Sequence, residues 1–129
     1  SVANPALAAL LGLSSVEILD YRLAAYFLEN IADRAFEVSG LISGGRASEG
    51  APRAGRVSEI LLENHKLAME AFLNRRLDVI PQMKKNLEIL TKLLTPPRLM
   101  VEQLRIRDAV LGIADMQYDI ANLIIPRLA

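Results

Sequence analysis

The sequence predicts an all-α fold, an antiparallel up-down bundle of four main helices. The composition is 52% hydrophobic but only 5% aromatic, and Leu, Ala and Ile are abundant, as is typical of helical proteins. Apolar residues recur three and four positions apart over four separate segments. In addition, residues 21–42 return in a weaker form as residues 103–124, with Ile31-Ala32-Asp33 aligned on Ile113-Ala114-Asp115. Repeated units normally perform the same packing role, so these stretches predict two related helices against a common core.

The N-terminal part of the chain predicts a short helix followed by a long one. Pro5–Leu11 is expected to form the short helix. Either Ser14 or Ser15 can then cap the first long helix, α1, which is expected to run to Ile42. Glu17 lies in the first turn of α1, where the helix dipole favours a negative charge.

Three further helices are expected after a linker. Residues 43–56 are rich in Gly, Ser and Ala, which predicts a flexible linker inside the single domain of residues 1–129. We expect α2 over Val57–Arg75, α3 over Val79–Leu94 and α4 from Pro97 to Pro126. The connections between α2, α3 and α4 are short, which predicts that these neighbours run antiparallel. Helices α1 and α4 are expected to be the longer pair.

Side-chain chemistry supports these boundaries and assigns a buried face to each of the two related helices. Asp78 is expected to cap α3, and Pro81 is tolerated because it falls in the first turn. The apolar stripes of the two related helices are Leu28, Ile31, Ala35, Val38 and Ile42 in α1, and Val110, Ile113, Gln117, Ile120 and Ile124 in α4.

The overall composition excludes several classes of function. Fifteen basic and fifteen acidic residues give zero formal charge, so no global field would attract the chain to nucleic acid. The absence of Cys excludes thiol catalysis and Cys-ligated zinc, and it fits a reducing compartment such as the cytoplasm. Charged residues interrupt every apolar run before it reaches the length of a membrane span, so no membrane insertion is expected.

Acidic residues follow one side of each related helix. In α1, Glu29 and Asp33 lie four residues apart and therefore project from one face, which could present two carboxylates to a cation. The alternative is a polar ridge facing solvent. In α4, Asp115 and Asp119 form a matching ridge around Gly112. A glycine within a helix costs about 1 kcal/mol relative to alanine, so Gly112 predicts the close approach of another helix or a ligand.

The same two stretches carry a resemblance to a known family. Leu28–Ala35 is similar to the LERIGDHA signature of the PhoU family, the regulators of phosphate transport and phosphate signalling, and residues 113–121 resemble the second copy of that signature. Residues 67–76 extend the resemblance into α2. It implies that α2, α3 and α4 form one three-helix repeat of an archaeal-type PhoU-like domain, with α1 as the last helix of a preceding repeat. It also implies a regulatory protein rather than an enzyme.

The resemblance further implies a metal site and protein partners. The paired acids of each repeat would bind iron or zinc, which maps onto Glu29 and Asp33, with Asp115 as the corresponding acid of the second copy. Leu111 replaces the other acid of that copy, and Asp119 supplies a carboxylate one turn later. The implied partner is a phosphate transporter or a sensor component. We also expect a homodimer, because α1 without the rest of its own repeat leaves apolar surface that a second copy can cover.

Other functions remain open at this point. The chain could be the oligomerisation or effector domain of a transcription regulator, or a purely structural bundle. A di-metal carboxylate enzyme is disfavoured, because no Glu lies three residues before His65, the single histidine. We interpret His65 as a packed or half-exposed bundle residue, and Tyr26 and Tyr118 as residues at the edge of the core.

Overall fold

The computed structural model describes Ala6, Gly12 and residues 14–43, 51–95 and 101–125. The four helices of this part are α1 (Ser15–Ser43), α2 (Ala51–Asn74), α3 (Ile80–Leu93) and α4 (Val101–Asn122). Within these ranges no residue forms a β-strand, which confirms the predicted all-α fold. In the same ranges, no helix combines the length and the apolar character that a membrane span requires.

Contacts between the helices confirm the alternating up-down order. The N-terminal end of α1 meets the C-terminal end of α2, where Arg75 and Glu17 form an ion pair of 3.2 Å. Farther along α1, the side chain of Arg34 reaches Gly112 near the middle of α4. In α2 and α3, Asn64 and Asn86 meet across the interface 2.8 Å apart. In α3 and α4, Met83 shares an apolar cluster with Ile120, and Leu90 shares another with Val110. Each helix therefore runs antiparallel to the one before it in the chain.

Two apolar clusters fill the bundle. In the sequence of α2, α3 and α4, one buried polar residue of each helix lies between the residues of the two clusters, and these polar residues form a layer. The first cluster includes Ala68, Phe72, Met83 and Ile120, and half-buried α1 residues pack against it. The second cluster consists of Val57, Ile60, Leu90, Val110 and Ala114, with half-buried residues around it. The polar layer is formed by Asn64, Asn86 and Gln117, which are all buried. Neither buried asparagine was predicted to lie in the core.

Helix α1 is much less buried than the three helices that follow it. It packs mainly on α4, whereas α2, α3 and α4 all pack on one another. The predicted stripe of α4 is buried throughout, including Gln117. In α1, Leu28, Ile31 and Val38 of the predicted stripe are half-buried, and Ala35 is exposed together with every residue from 32 to 37. The interpretation of Ala35 as a core residue was therefore wrong, because the described helices leave this side chain exposed although neighbouring Arg34 reaches α4.

The helix boundaries near the predicted linker differ from the expectation. Helix α2 begins at Ala51 rather than Val57, so the second part of the predicted 43–56 linker is helical. Alanine is the strongest helix former, and Pro52 falls in the first turn, where its missing N–H costs nothing. Residues 44–50 of the predicted linker lie outside the described part. Within the described residues, α2 spans 24 residues and α4 spans 22.

The turn between α2 and α3 also corrects one prediction. Val79 occupies the N-cap position of α3 and makes no side-chain capping bond, while Pro81 lies in the first turn as predicted. Asp78, the predicted cap, instead accepts a hydrogen bond from Arg76 Nε at 3.1 Å. This bond lowers the pKa of the Asp78 carboxyl below its ordinary 3.8. The nearby cation thus attracts the carboxylate away from the helix end.

The predictions for the start of α1 and for the end of α4 have different outcomes. Ser14 caps α1 as expected, because its Oγ accepts a hydrogen bond from the Glu17 N–H and its own N–H donates to Glu17 Oε1. The predicted Pro5–Leu11 helix lies outside the described residues except for Ala6. Helix α4 ends at Asn122 and not at Pro126. Proline has no N–H to donate to the carbonyl four residues earlier, which for Pro126 belongs to Asn122.

Candidate functional site

The acidic ridge of α1 lies on the side that faces solvent. Five residues three or four positions apart are all exposed: Arg22, Tyr26, Glu29, Asp33 and Glu37. The opposite side of the helix carries buried Asp20 and Ala24 and half-buried Ile31. The predicted metal ligands Glu29 and Asp33 are therefore surface carboxylates, directed away from the bundle.

The acidic ridge of α4 is also exposed, but its two carboxylates influence each other. Asp115 and Asp119 lie one turn apart, and both are exposed. The pKa of Asp119 is raised above its ordinary 3.8, first by partial burial and second by the negative charge of Asp115. Both effects disfavour the charged carboxylate. A cation bound beside these two acids would reverse the second effect.

A glycine in the α4 ridge provides room for a side chain from α1. A Cβ atom built on Gly112 would lie 3.0 Å from Cζ, Nε and Nη1 of Arg34. That distance is closer than ordinary van der Waals contact, so any side chain at position 112 would displace the guanidinium. The predicted close approach at Gly112 is confirmed, and the approaching group is the side chain of the arginine that follows Asp33.

The four predicted metal ligands do not form one site within the chain. All four lie in the described part, as a pair on α1 and a pair on α4: Glu29 and Asp33, and Asp115 and Asp119. Among the described residues, no three carboxylate or imidazole groups lie close enough together to hold an ion. Iron and zinc are bound by larger ligand sets than a single pair of carboxylates. The described residues therefore do not fit a metal site built by one chain, and binding of iron or zinc stays a prediction from the resemblance.

The histidine and the two tyrosines have different surroundings. His65 is half-buried on α2, as expected for a bundle residue. Tyr118 is half-buried and packs against the first apolar cluster, which confirms its predicted place at the core edge. Tyr26 is 60% exposed, and its ring contacts Phe27 at 5.9 Å between centroids. The interpretation of Tyr26 as a core-edge residue was wrong, since it belongs to the exposed surface of α1.

A row of exposed apolar side chains along α1 is the main feature that the sequence analysis missed. The row, called the α1 row below, consists of Val16, Leu19, Leu23 and Tyr26, which are between 37% and 60% exposed. Phe36, farther along the same helix, is 83% exposed. The spacing of three, four and three residues was visible in the sequence as a second stripe beside the buried one. Periodicity alone does not tell which of two stripes faces the core.

The buried polar layer is the second feature that was missed. Asn86 Nδ2 donates to Asn64 Oδ1 at 2.8 Å and to Glu63 Oε2 at 3.2 Å. The side chain of Gln82 donates to Asn86 Oδ1 at 3.0 Å. Gln117 Nε2 donates to the carbonyl of Leu61 at 2.9 Å, but its Oε1 is buried without a hydrogen-bond partner. A layer of this kind fixes the relative positions of α2, α3 and α4, because displacement would leave further polar atoms unpaired.

A small cleft lies where the N-terminal end of α1 meets the C-terminal end of α2. Its lining includes the Glu17–Arg75 ion pair, buried Asp20 and the edge-to-face ring contact between Tyr21 and Phe72. The cavity volume of about 30 Å³ has room for roughly one water molecule. This cleft is therefore too small to bind a metabolite without rearrangement.

Comparison of the chain with protein families, with curated proteins and with solved structures found no match. The functional assignment accordingly depends on the residues of this chain and on their geometry.

Proposed function

We propose that this chain is a PhoU-like regulatory domain that acts by binding other protein chains in the control of phosphate uptake or phosphate signalling. The α1 row is the single observation that carries the binding function. Isolated exposed apolar residues are ordinary, but an aligned group of large ones is typical of a contact surface. The link to phosphate is supported by the resemblance of Leu28–Ala35 and residues 113–121 to the family signature.

The packing of α1 supplies a physical reason for this surface. Helix α1 packs mainly on α4 and meets α2 near its N-terminal end, and the described helices leave the α1 row exposed. Complete burial of a Leu or Val side chain contributes about 1.5–3 kcal/mol. The members of the α1 row are about half exposed, so covering them would stabilise a complex by roughly 1 kcal/mol per residue.

The chemistry of the chain supports a protein partner. The formal charge of zero provides no general attraction to a phosphate backbone. The single histidine, His65, is half-buried on α2, and we assign no residue a catalytic role. Iron or zinc on the acidic ridges and a cytoplasmic location stay predictions, and the proposed binding function does not depend on either.

Self-association through α1 is the first test of the proposal. We expect the purified chain to form a homodimer, measurable by sedimentation velocity over micromolar concentrations. Leu23→Lys places a charge in the α1 row and is expected to weaken the dimer. Leu62→Lys is the matched control, because Leu62 is 56% exposed on α2 and lies outside the row. A wild-type chain that stays monomeric throughout this range would reject self-association.

The phosphate assignment requires a separate test in cells of the source organism. The partner is proposed to be a phosphate transporter or a sensor component that recognises the dimer formed through α1. Cells that produce the Leu23→Lys chain are expected to take up phosphate without the normal response to external phosphate. Cells with Leu62→Lys should respond as the wild type does. Normal regulation in the Leu23→Lys cells would exclude this role of the α1 surface.

A further inference from the structure

The spacing of the α1 row is that of a contact between two helices. Val16, Leu19, Leu23 and Tyr26 are separated by three, four and three residues. These are the a and d positions of a heptad repeat, the pattern by which one helix packs along another. The four side chains are exposed, so this second helix is not supplied by the described part of the same chain.

The residues that continue this spacing decide the direction of a second copy. The next positions of the same pattern are Asn30, Asp33 and Glu37, of which the two acids are exposed. A parallel second copy would place Asp33 opposite its own equivalent, and Glu37 likewise. Like charges directly opposed across an interface disfavour association, and here two such pairs would occur. A parallel pairing through the whole pattern is therefore disfavoured.

An antiparallel second copy avoids these contacts and matches side chains by size. With the two-fold axis near Tyr21, Val16 lies opposite Tyr26 of the second copy, and Leu19 lies opposite Leu23. The smallest member of the row then faces the largest, and the two leucines face each other. Asp33 and Glu37 both lie beyond the end of the apolar contact, so the like charges of the two copies are kept apart.

We propose that two copies of this chain pair through the α1 row in an antiparallel arrangement with its two-fold axis near Tyr21. This inference rests on the proposed self-association and specifies its geometry. Four side chains that are each about half exposed cover less than the roughly 800 Å² per partner of a standard stable interface. The dimer is therefore expected to dissociate in the micromolar range, as suits a reversible regulatory contact.

Disulfide cross-linking tests the arrangement, because the chain has no cysteine and each introduced thiol is unique. Leu19→Cys and Leu23→Cys chains, one carrying a size tag, are mixed and oxidised. The antiparallel arrangement predicts a cross-link between the two variants and little self-linking of either one. A disulfide requires Cα atoms within about 7 Å, and equal positions are displaced from each other by about one helical turn. Val16→Cys mixed with Tyr26→Cys should cross-link in the same way.

Leu62→Cys on α2 serves as the control for random collision and should not cross-link appreciably with any α1 variant. Strong self-linking of Leu19→Cys would show a parallel pairing and overturn the inference. A dimer in sedimentation without any of the predicted cross-links would also overturn it, while leaving the proposed self-association intact. A monomer in sedimentation would reject both. Circular dichroism of each variant verifies that the helices are retained.

Discussion

Replacing Asn86 with leucine tests whether the buried polar layer holds α2 and α3 together. Asn86 is 3% exposed, and its Nδ2 is 2.8 Å from Oδ1 of Asn64, which is itself only 1% exposed. Leucine has a similar volume but cannot donate a hydrogen bond. In the Asn86→Leu protein, Asn64 Oδ1 is therefore left in the interior without this donor, and Gln82 loses its acceptor at 3.0 Å.

The magnitude follows from the cost of an unpaired buried group. A buried polar atom that loses its partner destabilises a protein by about 1–3 kcal/mol. The additional apolar surface of leucine offsets part of this loss, so we expect Asn86→Leu to lower the free energy of unfolding by about 1–2 kcal/mol. For a chain of this size, each kcal/mol corresponds to a decrease in melting temperature of about 3–5 °C. The Asn64→Leu/Asn86→Leu protein should lose less than the sum of the two single replacements.

Urea unfolding followed by circular dichroism measures these differences, at one protein concentration because a dimer would contribute to stability. Asn74→Leu is the matched control, since Asn74 is exposed and its Nδ2 donates to the neighbouring side chain of Glu70 at 2.9 Å. It should change stability by less than about 0.5 kcal/mol. If Asn86→Leu is as stable as the wild type, or if the two single losses simply add, the polar layer is not a coupled unit and the reasoning fails.

Three further predictions concern α4 and the acidic ridges. Gln117→Leu removes a buried Oε1 that has no partner, so we expect urea unfolding to show a gain of about 1 kcal/mol. The pKa of Asp119 is raised in the folded state, so the folded chain binds more protons and its stability falls as pH rises through the window above 3.8. Asp119→Asn should remove that fall and increase the free energy of unfolding by roughly 0.2–0.5 kcal/mol at neutral pH. Unfolding measured across pH tests this. For the predicted metal, elemental analysis after incubation with iron or zinc should find less bound metal in the Glu29→Ala/Asp33→Ala protein than in the wild type.

Each of these experiments has a result that would contradict it. A loss of stability in Gln117→Leu would mean that the bond to the Leu61 carbonyl outweighs the unpaired oxygen. An Asp119→Asn protein with the same pH dependence as the wild type would place the titration elsewhere. Equal metal content in the Glu29→Ala/Asp33→Ala protein and the wild type would refute the site that the resemblance implies. Asp108→Ala removes a comparable surface charge from α4 and serves as the control for the replacements of the acidic residues.

The local part of the fold could be predicted because short-range patterns determine it. Spacings of three and four residues located all four helices, and the Ser14–Glu17 cap was confirmed in detail. Predictions failed where a local preference competed with a contact. Asp78 is a good cap by residue type, but Arg76 donates a hydrogen bond to its carboxylate, which does not cap α3. Ala51 and Pro52 are helical, but they were assigned to the linker because the surrounding residues are rich in Gly and Ser.

The candidate surface could not be predicted in the same way, because it depends on which helices are neighbours. The α1 row and the buried stripe of α1 are both apolar and both have helical spacing. Only the packing of α1 on α4 determines that Leu23 is exposed while Ala24 is buried. Likewise, the sequence places Asn64, Asn86 and Gln117 on three separate helices, and nothing local indicates that Asn86 bonds to Asn64 or that Gln117 bonds to α2.

The sequence by itself determined the helical class, the approximate extent of the four helices, the cap of α1 and the need for space at Gly112, because all of these follow from spacing and from the properties of individual residues. The tertiary structure alone decided which stripe of α1 is covered, that Arg34 fills the space over Gly112, and that the two acidic pairs remain apart. These outcomes depend on distances between residues far apart in the chain. Such distances are fixed only when the helices pack and each side chain gains or lacks a neighbour.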